Sequence, residues 1–164
     1  MRFHLAVDSS KLPVVEPDLE WGPMIKRGRS RGDYQNPPLG SRAQQILTDT
    51  WNLVWPHLRA RFKKHTLLSQ TLARVPPGEP EQPFHCDRDG DSAYHTIIVP
   101  LTTEHAAGGT EFEDGVAFLA VRGIVYCFNG AVVHRGSAHR GERERIFASY
   151  VIHPNAIVDE NIFV

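Results

Sequence analysis

Three observations predict a mainly β fold for this 164-residue chain, a β-sandwich or jelly roll supported by a helix. After Thr66 the sequence breaks into short runs rich in Val, Ile, Phe and Thr, separated by Gly-containing turns. One of these runs, His95–Leu101, is apolar on both faces, as in a strand covered from both sides. Ahead of them, Leu47, Trp51, Val54, Leu58 and Phe62 recur at helical spacing and define one apolar face. The length suits one domain spanning 1–164 with a sizeable core, its jelly-roll core at 66–152.

In chain order, Phe3–Val7 and Leu12–Val15 read as strands, the second an edge strand because Pro13 has no N–H to donate. Residues 21–40 are rich in Gly, Pro and Arg and predict a long loop, a candidate lid. Ser41 is a candidate N-cap for the helix, and Pro56 predicts a kink or a second helix beginning there. Arg59, Arg61, Lys63 and Lys64 then fall in its last turns, where cations suit the helix dipole. The predicted strands after this are Leu67–Val75, His95–Leu101, Gly108–Phe112, Val116–Val121, Ile124–Phe128, Ala131–His134 and Arg145–Ile152.

Composition is ordinary, 41% hydrophobic and 23% charged with a net charge of −1. No apolar run is long enough to span a membrane, and the N-terminus lacks the apolar core of a secretory signal. Two cysteines cannot form a disulfide framework, so a cytoplasmic protein with reduced thiols is expected. Residues 21–75 carry ten Lys/Arg against two acids. A basic region admits nucleic acid as a partner, but no aromatic-interleaved motif accompanies this one.

The chemistry centres on Pro83-Phe84-His85-Cys86-Asp87. Residues i and i+2 of a strand share a face, so His85 and Asp87 are placed to converge on one metal ion, with Cys86 a packed thiol pointing away. With nine His and nine Asp in the chain, a His-x-Asp match has a chance expectation of roughly 0.5, so the motif needs further support. His134, at the end of the strand Ala131–His134, supplies a third ligand. Two His and one carboxylate with open positions is the ligand set of non-haem Fe(II) oxygenases. Arg145 opens the last strand, where its guanidinium can clamp a carboxylate bidentately, and Ser149 shares its face. Arg143 has the same parity but lies in the preceding loop. His95 and His139 are not expected to be ligands, and Asp89 and Asp91 are expected to shape the loop around Gly90.

The ordered set Arg74-Val75-Pro76-Pro77-Gly78, His85-Cys86-Asp87, Thr96–Leu101, Gly108-Gly109-Thr110-Glu111-Phe112, Arg122–Phe128, His134-Arg135-Gly136-Ser137 and Arg145–Val151 resembles the Fe(II)- and 2-oxoglutarate-dependent dioxygenase superfamily. The prolyl-hydroxylase and phytanoyl-hydroxylase-like branches are nearest in texture. The resemblance covers about residues 66–152; the first 65 carry no family signature. It implies a double-stranded β-helix with Fe(II) on His85, Asp87 and His134. It also implies 2-oxoglutarate held by Arg145 and Ser149, with Tyr94 and Thr96 as further contacts, and O₂ as co-reactant. Succinate and CO₂ would be co-products of hydroxylating a small molecule, an amino acid or a peptidyl side chain. Asp87 stands where the family's halogenases carry a small residue, which favours hydroxylation. The alternatives are a nucleic-acid demethylase of the same superfamily and a non-catalytic cupin-like metal-binding module. Substrate and oligomeric state are not legible.

Overall fold

Alternation along the long strands decides which side of the sheet faces what. The computed structural model describes residues 1–19, 21, 32–35, 37–102 and 108–154. Its strands are β1 (Arg2–Ala6), β2 (Gly32–Gln35), β3 (Thr66–Val75), β4 (His95–Pro100), β5 (Gly109–Phe112), β6 (Ala117–Leu119), β7 (Ile124–Asn129), β8 (His134–Gly136) and β9 (Arg145–His153), with one helix, α1 (Arg42–Leu58). All pair antiparallel in two sheets, one ordered β1-β7-β4-β9-β3-β2 and the other β6-β5-β8. The architecture is mainly β and jelly-roll-like, as the sequence predicts.

On β9, the even-numbered residues Ile146, Ala148, Tyr150 and Ile152 are buried in the main core with Leu72, Ile97, Val99, Val125 and Cys127. The helix contributes Ile46, Leu47, Trp51, Val54 and Leu58 to the same cluster. Each such side chain is worth about 1.5–3 kcal/mol on burial, so this layer anchors the large sheet. Tyr150 ties it further, its hydroxyl donating to Leu47 O at 2.7 Å while its ring lies 4.9 Å from that of Trp51. The odd-numbered residues Arg145, Phe147, Ser149 and Val151 face the other way, into a cavity between the sheets. Strand periodicity thus separates a core face from a chemical face.

Several expectations change in detail. Leu12–Val15 is not a strand; a 3₁₀ turn at Ser9–Lys11 precedes it, and the carbonyls of Leu12 and Pro13 bond the Arg122 guanidinium instead of a ladder. Residues 32–35 form β2 against β3, because their backbone finds a ladder partner despite the loop-like composition. Residues 20, 22–31 and 36 lie outside the described residues, and with them most of the expected lid. The helix is single, capped by Ser41 Oγ accepting from Gln44 N at 3.2 Å, and it runs through Pro56. Pro56 is exposed, as is Asn52 four residues earlier, so the carbonyl without an amide partner turns to water. The basic residues lie past the helix end, which falls at Leu58, and Arg61 stacks over Phe3 at 4.1 Å.

Ala131–Val133 is a turn, with Val132 N bonded to Asn129 O, so His134 opens a strand rather than ending one. No described helix is long and apolar enough to cross a membrane.

The turn into β3 gives a pH signature. The rings of His65 and His95 lie 5.3 Å apart and both pack on Phe62, at 5.0 and 4.8 Å. Burial holds both imidazoles below the usual value of 6.5, with His153 adding to the effect on His65 and His65 to that on His95. Below that value the unfolded chain takes up protons that the folded chain refuses. The stability from these groups is therefore full above about pH 6.5 and lost as pH falls toward their folded-state values. The His95→Phe variant is expected to lose less stability than wild type between pH 7 and 5.5, measured by urea midpoint.

Candidate metal centre and adjoining cavity

Two hydrogen bonds bring together residues 49 positions apart. His85 and His134 face each other in an isolated antiparallel bridge, each N–H donating to the other's carbonyl at 2.9 Å. The segment 78–85 runs on along 134–139: Gln82 N donates to Gly136 O at 2.9 Å, Gln82 Oε1 accepts from Gly136 N at 3.0 Å, and Gly78 N donates to His139 O at 3.0 Å. Gln82 and Gly136 thereby set the register that pairs the two imidazoles.

Asp87 completes the cluster. Its Oδ1 lies 3.8 Å from both His85 Nε2 and His134 Nε2, and the ligand atoms of the three residues all lie within 4.8 Å of one another. Among the described residues this is the one such group of three or more. The remaining atoms are held for the purpose. His85 Nδ1 bonds Pro83 O at 3.0 Å and His134 Nδ1 bonds Val132 O at 2.9 Å. With a carbonyl as partner, each Nδ1 carries the proton and each Nε2 keeps its lone pair. Thr96 Oγ1 donates to Asp87 Oδ2 at 2.7 Å, leaving Oδ1 toward the imidazoles. Burial lowers the pKa of His134, which further favours the neutral, ligating form. Two neutral imidazoles and one carboxylate are a donor set that would fit a divalent metal and leave it positions for further ligands.

Gly130 makes this approach possible. A Cβ there would sit 2.4 Å from Asp91 O and 3.0 Å from Asp87 O, both backbone atoms of the facing loop. In Gly130→Ala the 87–91 loop must withdraw and take Asp87 with it. The expected result is a divalent-metal affinity at least tenfold weaker by calorimetry, the loss typical of disturbed ligand support.

The cavity behind the triad has a volume of about 480 Å³. His85, Asp87, His134, Thr96, Arg145 and Ser149 all line it. Arg145 is 4% exposed, whereas Arg143 is exposed and uses its carbonyl to accept from His139 Nε2 at 2.6 Å. The backbone of Gly108 runs so close that a Cβ would meet Arg145 Nη1 at 2.8 Å and Ser137 Oγ at 2.9 Å. That proximity accounts for a glycine with φ of +115° beside the guanidinium.

Tyr94 does not line the cavity; its ring packs 4.3 Å from His153. Cys86 is exposed and lines the cavity rather than packing as a buried thiol, because the chain around the bridge is irregular and does not alternate as a strand would. His95 and His139 are outside the triad. Asp91 shapes its loop through Oδ1, which accepts from Ala93 N at 2.8 Å. Gln82 and Gly130 escaped the sequence reading. The Asn129-Gly130 pair was visible only as a turn, and nothing local marks Gln82.

No protein-family model matches the sequence, and no curated protein matches it. Solved structures do. A viral collagen prolyl hydroxylase from Paramecium bursaria Chlorella virus-1, in complex with 2OG, superposes with a TM-score of 0.66 over 92% of this chain and 94% of its own, at 16% identity. A Pseudomonas putida prolyl-4-hydroxylase gives 0.57 over 82% and 77%, at 21% identity. The non-heme alpha ketoglutarate dependent carbocyclase SnoK from nogalamycin biosynthesis gives 0.61 over 75% and 64%, at 13%. The chain has the fold these oxygenases share.

Proposed function

We propose that the protein is an Fe(II)- and 2-oxoglutarate-dependent dioxygenase with the double-stranded β-helix architecture, hydroxylating a small molecule, amino acid or peptidyl side chain. The observation that carries this reading is the convergence of His85 Nε2, His134 Nε2 and Asp87 Oδ1 at the wall of a cavity that also contains a buried arginine. Fe(II) bound by these three residues would supply the redox chemistry that couples oxidation of 2-oxoglutarate by O₂ to oxidation of a substrate C–H bond.

The chain's own residues do the rest. Pro83 O and Val132 O hold the two imidazoles in the ligating tautomer, and Thr96 fixes the rotation of Asp87. This makes Thr96 a positioning residue for the ligand. Arg145 offers the distal carboxylate of 2-oxoglutarate a buried cation, where a charge-assisted bidentate pair is strongest. Ser149, two strand positions beyond Phe147 on the same face, adds a hydroxyl along the path from Arg145 toward Thr96. Phe118, Tyr126 and Phe128 give the cavity an aromatic wall, the rings of Phe118 and Tyr126 stacked at 4.6 Å.

Incubation with Fe(II), 2-oxoglutarate and O₂ is expected to yield succinate slowly without added substrate, and faster when a panel of candidate substrates includes the right one. Absence of succinate under all these conditions would count against the reading.

A further inference from the structure

Among the described residues Arg145 is one of two Arg/Lys on the cavity wall; the other is Arg88, directly after Asp87. The pairing of β3, β4 and β9 places them at opposite ends. Arg145 pairs with Val75, while Thr96 and Ser69 both pair with Val151, six residues further along β9. Six strand residues span about 20 Å between Cα positions. Arg88 belongs to the Val151 end, because its Nη2 reaches Ser69 Oγ at 3.5 Å. The triad lies at that end too, through the Thr96–Asp87 bond. The buried cation and the exposed one are therefore separated along the cavity, and the exposed one flanks the metal centre.

Arg88 is held in place unusually. It and Asp89 adopt φ values of +48° and +55°, left-handed backbone that Asp tolerates and a long side chain such as Arg rarely adopts. Consecutive outliers of this kind cluster at binding and active sites. Behind the guanidinium stands the Tyr94 ring, 5.7 Å from it and itself packed against His153 with the two rings tilted by 37°. Among the described residues no carboxylate is ion-paired with Arg88, and its hydrogen bond to Ser69 is at the limit of length. Arg135, by contrast, is paired with Glu111 at 2.8 Å and lies off the cavity wall. Glu79, the other acid among the described wall residues, sits opposite His139, remote from His85 along the paired segments.

We infer that Arg88 is a specificity-determining residue that recognises a carboxylate on the substrate, so the substrate is a small carboxylic acid presented beside the metal. A single planar guanidinium with one neighbouring hydroxyl matches the two oxygens of one carboxylate. A phosphate dianion would call for more cations than the described residues place at this end of the cavity. This rests on the oxygenase reading for the identity of the centre, and it assigns Tyr94 as the residue that positions Arg88.

The test is a binding experiment on protein loaded with Zn(II) and saturating 2-oxoglutarate. Fluorinated carboxylates, each paired with its primary amide and led by 4-fluorobenzoate and 4-fluorobenzamide, are titrated by ¹⁹F NMR, with 4-fluorophenyl phosphate as a separate arm. Acids are expected to bind in preference to their amides. Binding of the acids should weaken about tenfold or more in Arg88→Gln, with Arg88→Lys intermediate. The side chain is exposed, so both variants should melt like wild type. Equal binding of acid and amide, no binding of either, or a preference that survives Arg88→Gln would overturn the proposal. Tighter, Arg88-dependent binding of the phosphate would overturn the carboxylate assignment. The visible band of wild type with Fe(II) and 2-oxoglutarate reports separately. A band without acid preference sinks the Arg88 proposal alone; acid preference without a band leaves the carboxylate site and removes the oxygenase.

Discussion

Asp87→Ala is expected to abolish metal-dependent turnover while leaving the fold intact. Asp87 Oδ1 is the atom that faces both imidazoles at 3.8 Å, so its removal leaves two neutral nitrogens and no charge to offset a divalent cation. Loss of a supporting partner costs roughly 10–100-fold in affinity or activity, and loss of the ligand itself should exceed that. The fold should survive because the side chain is only half-buried and its one hydrogen-bond partner, Thr96 Oγ1, lies on the cavity wall where water can replace it. Metal affinity by calorimetry and melting temperature of the metal-free protein separate the two effects. A melting temperature that falls as steeply as activity would mean that Asp87 is a structural residue.

Arg145→Gln should have the second largest effect, confined to the cosubstrate. Arg145 sits buried at the first position of β9, opposite Val75, on the cavity wall. Truncating one partner of a buried charge pair costs about 2–5 kcal/mol. That corresponds to roughly 30-fold to several thousand-fold in the apparent affinity for 2-oxoglutarate. Arg145→Lys keeps the charge and loses the fork, so it should fall between. Raising 2-oxoglutarate should recover much of the rate in both variants, and equal loss of rate at saturating cosubstrate would contradict the assignment. The close packing of Gly108 against Nη1 predicts a parallel effect for Gly108→Ala, which displaces the guanidinium.

The fold was legible where one physical signal dominates. The last strand was legible as a strand, with Arg145 and Ser149 on one face, and the helix through Leu47, Trp51, Val54 and Leu58. His85, Asp87 and His134 were legible because two histidines and a carboxylate, side chains with a shared ligand chemistry, occur in order with a buried-strand arginine downstream. What escaped depends on contacts between distant segments. Gly130 is required by a backbone that arrives from residues 87–91, and Gln82 by the partner amide of Gly136. No local window contains both halves of either contact. Cys86 was misplaced because strand alternation was extended to a segment that forms only an isolated bridge. Residues 32–35 were read as loop because Gly and Asp disfavour strands on propensity, and the pairing with β3 overrides that weak preference.

The claim on which the account turns is that the triad and the cavity together bind Fe(II) and 2-oxoglutarate. Anaerobic mixing of the protein with both is the most direct measurement. A visible charge-transfer absorption band is predicted for wild type, absent in Asp87→Ala and shifted to higher 2-oxoglutarate concentration in Arg145→Gln. A wild-type spectrum with no band, from protein shown to be folded, would contradict it.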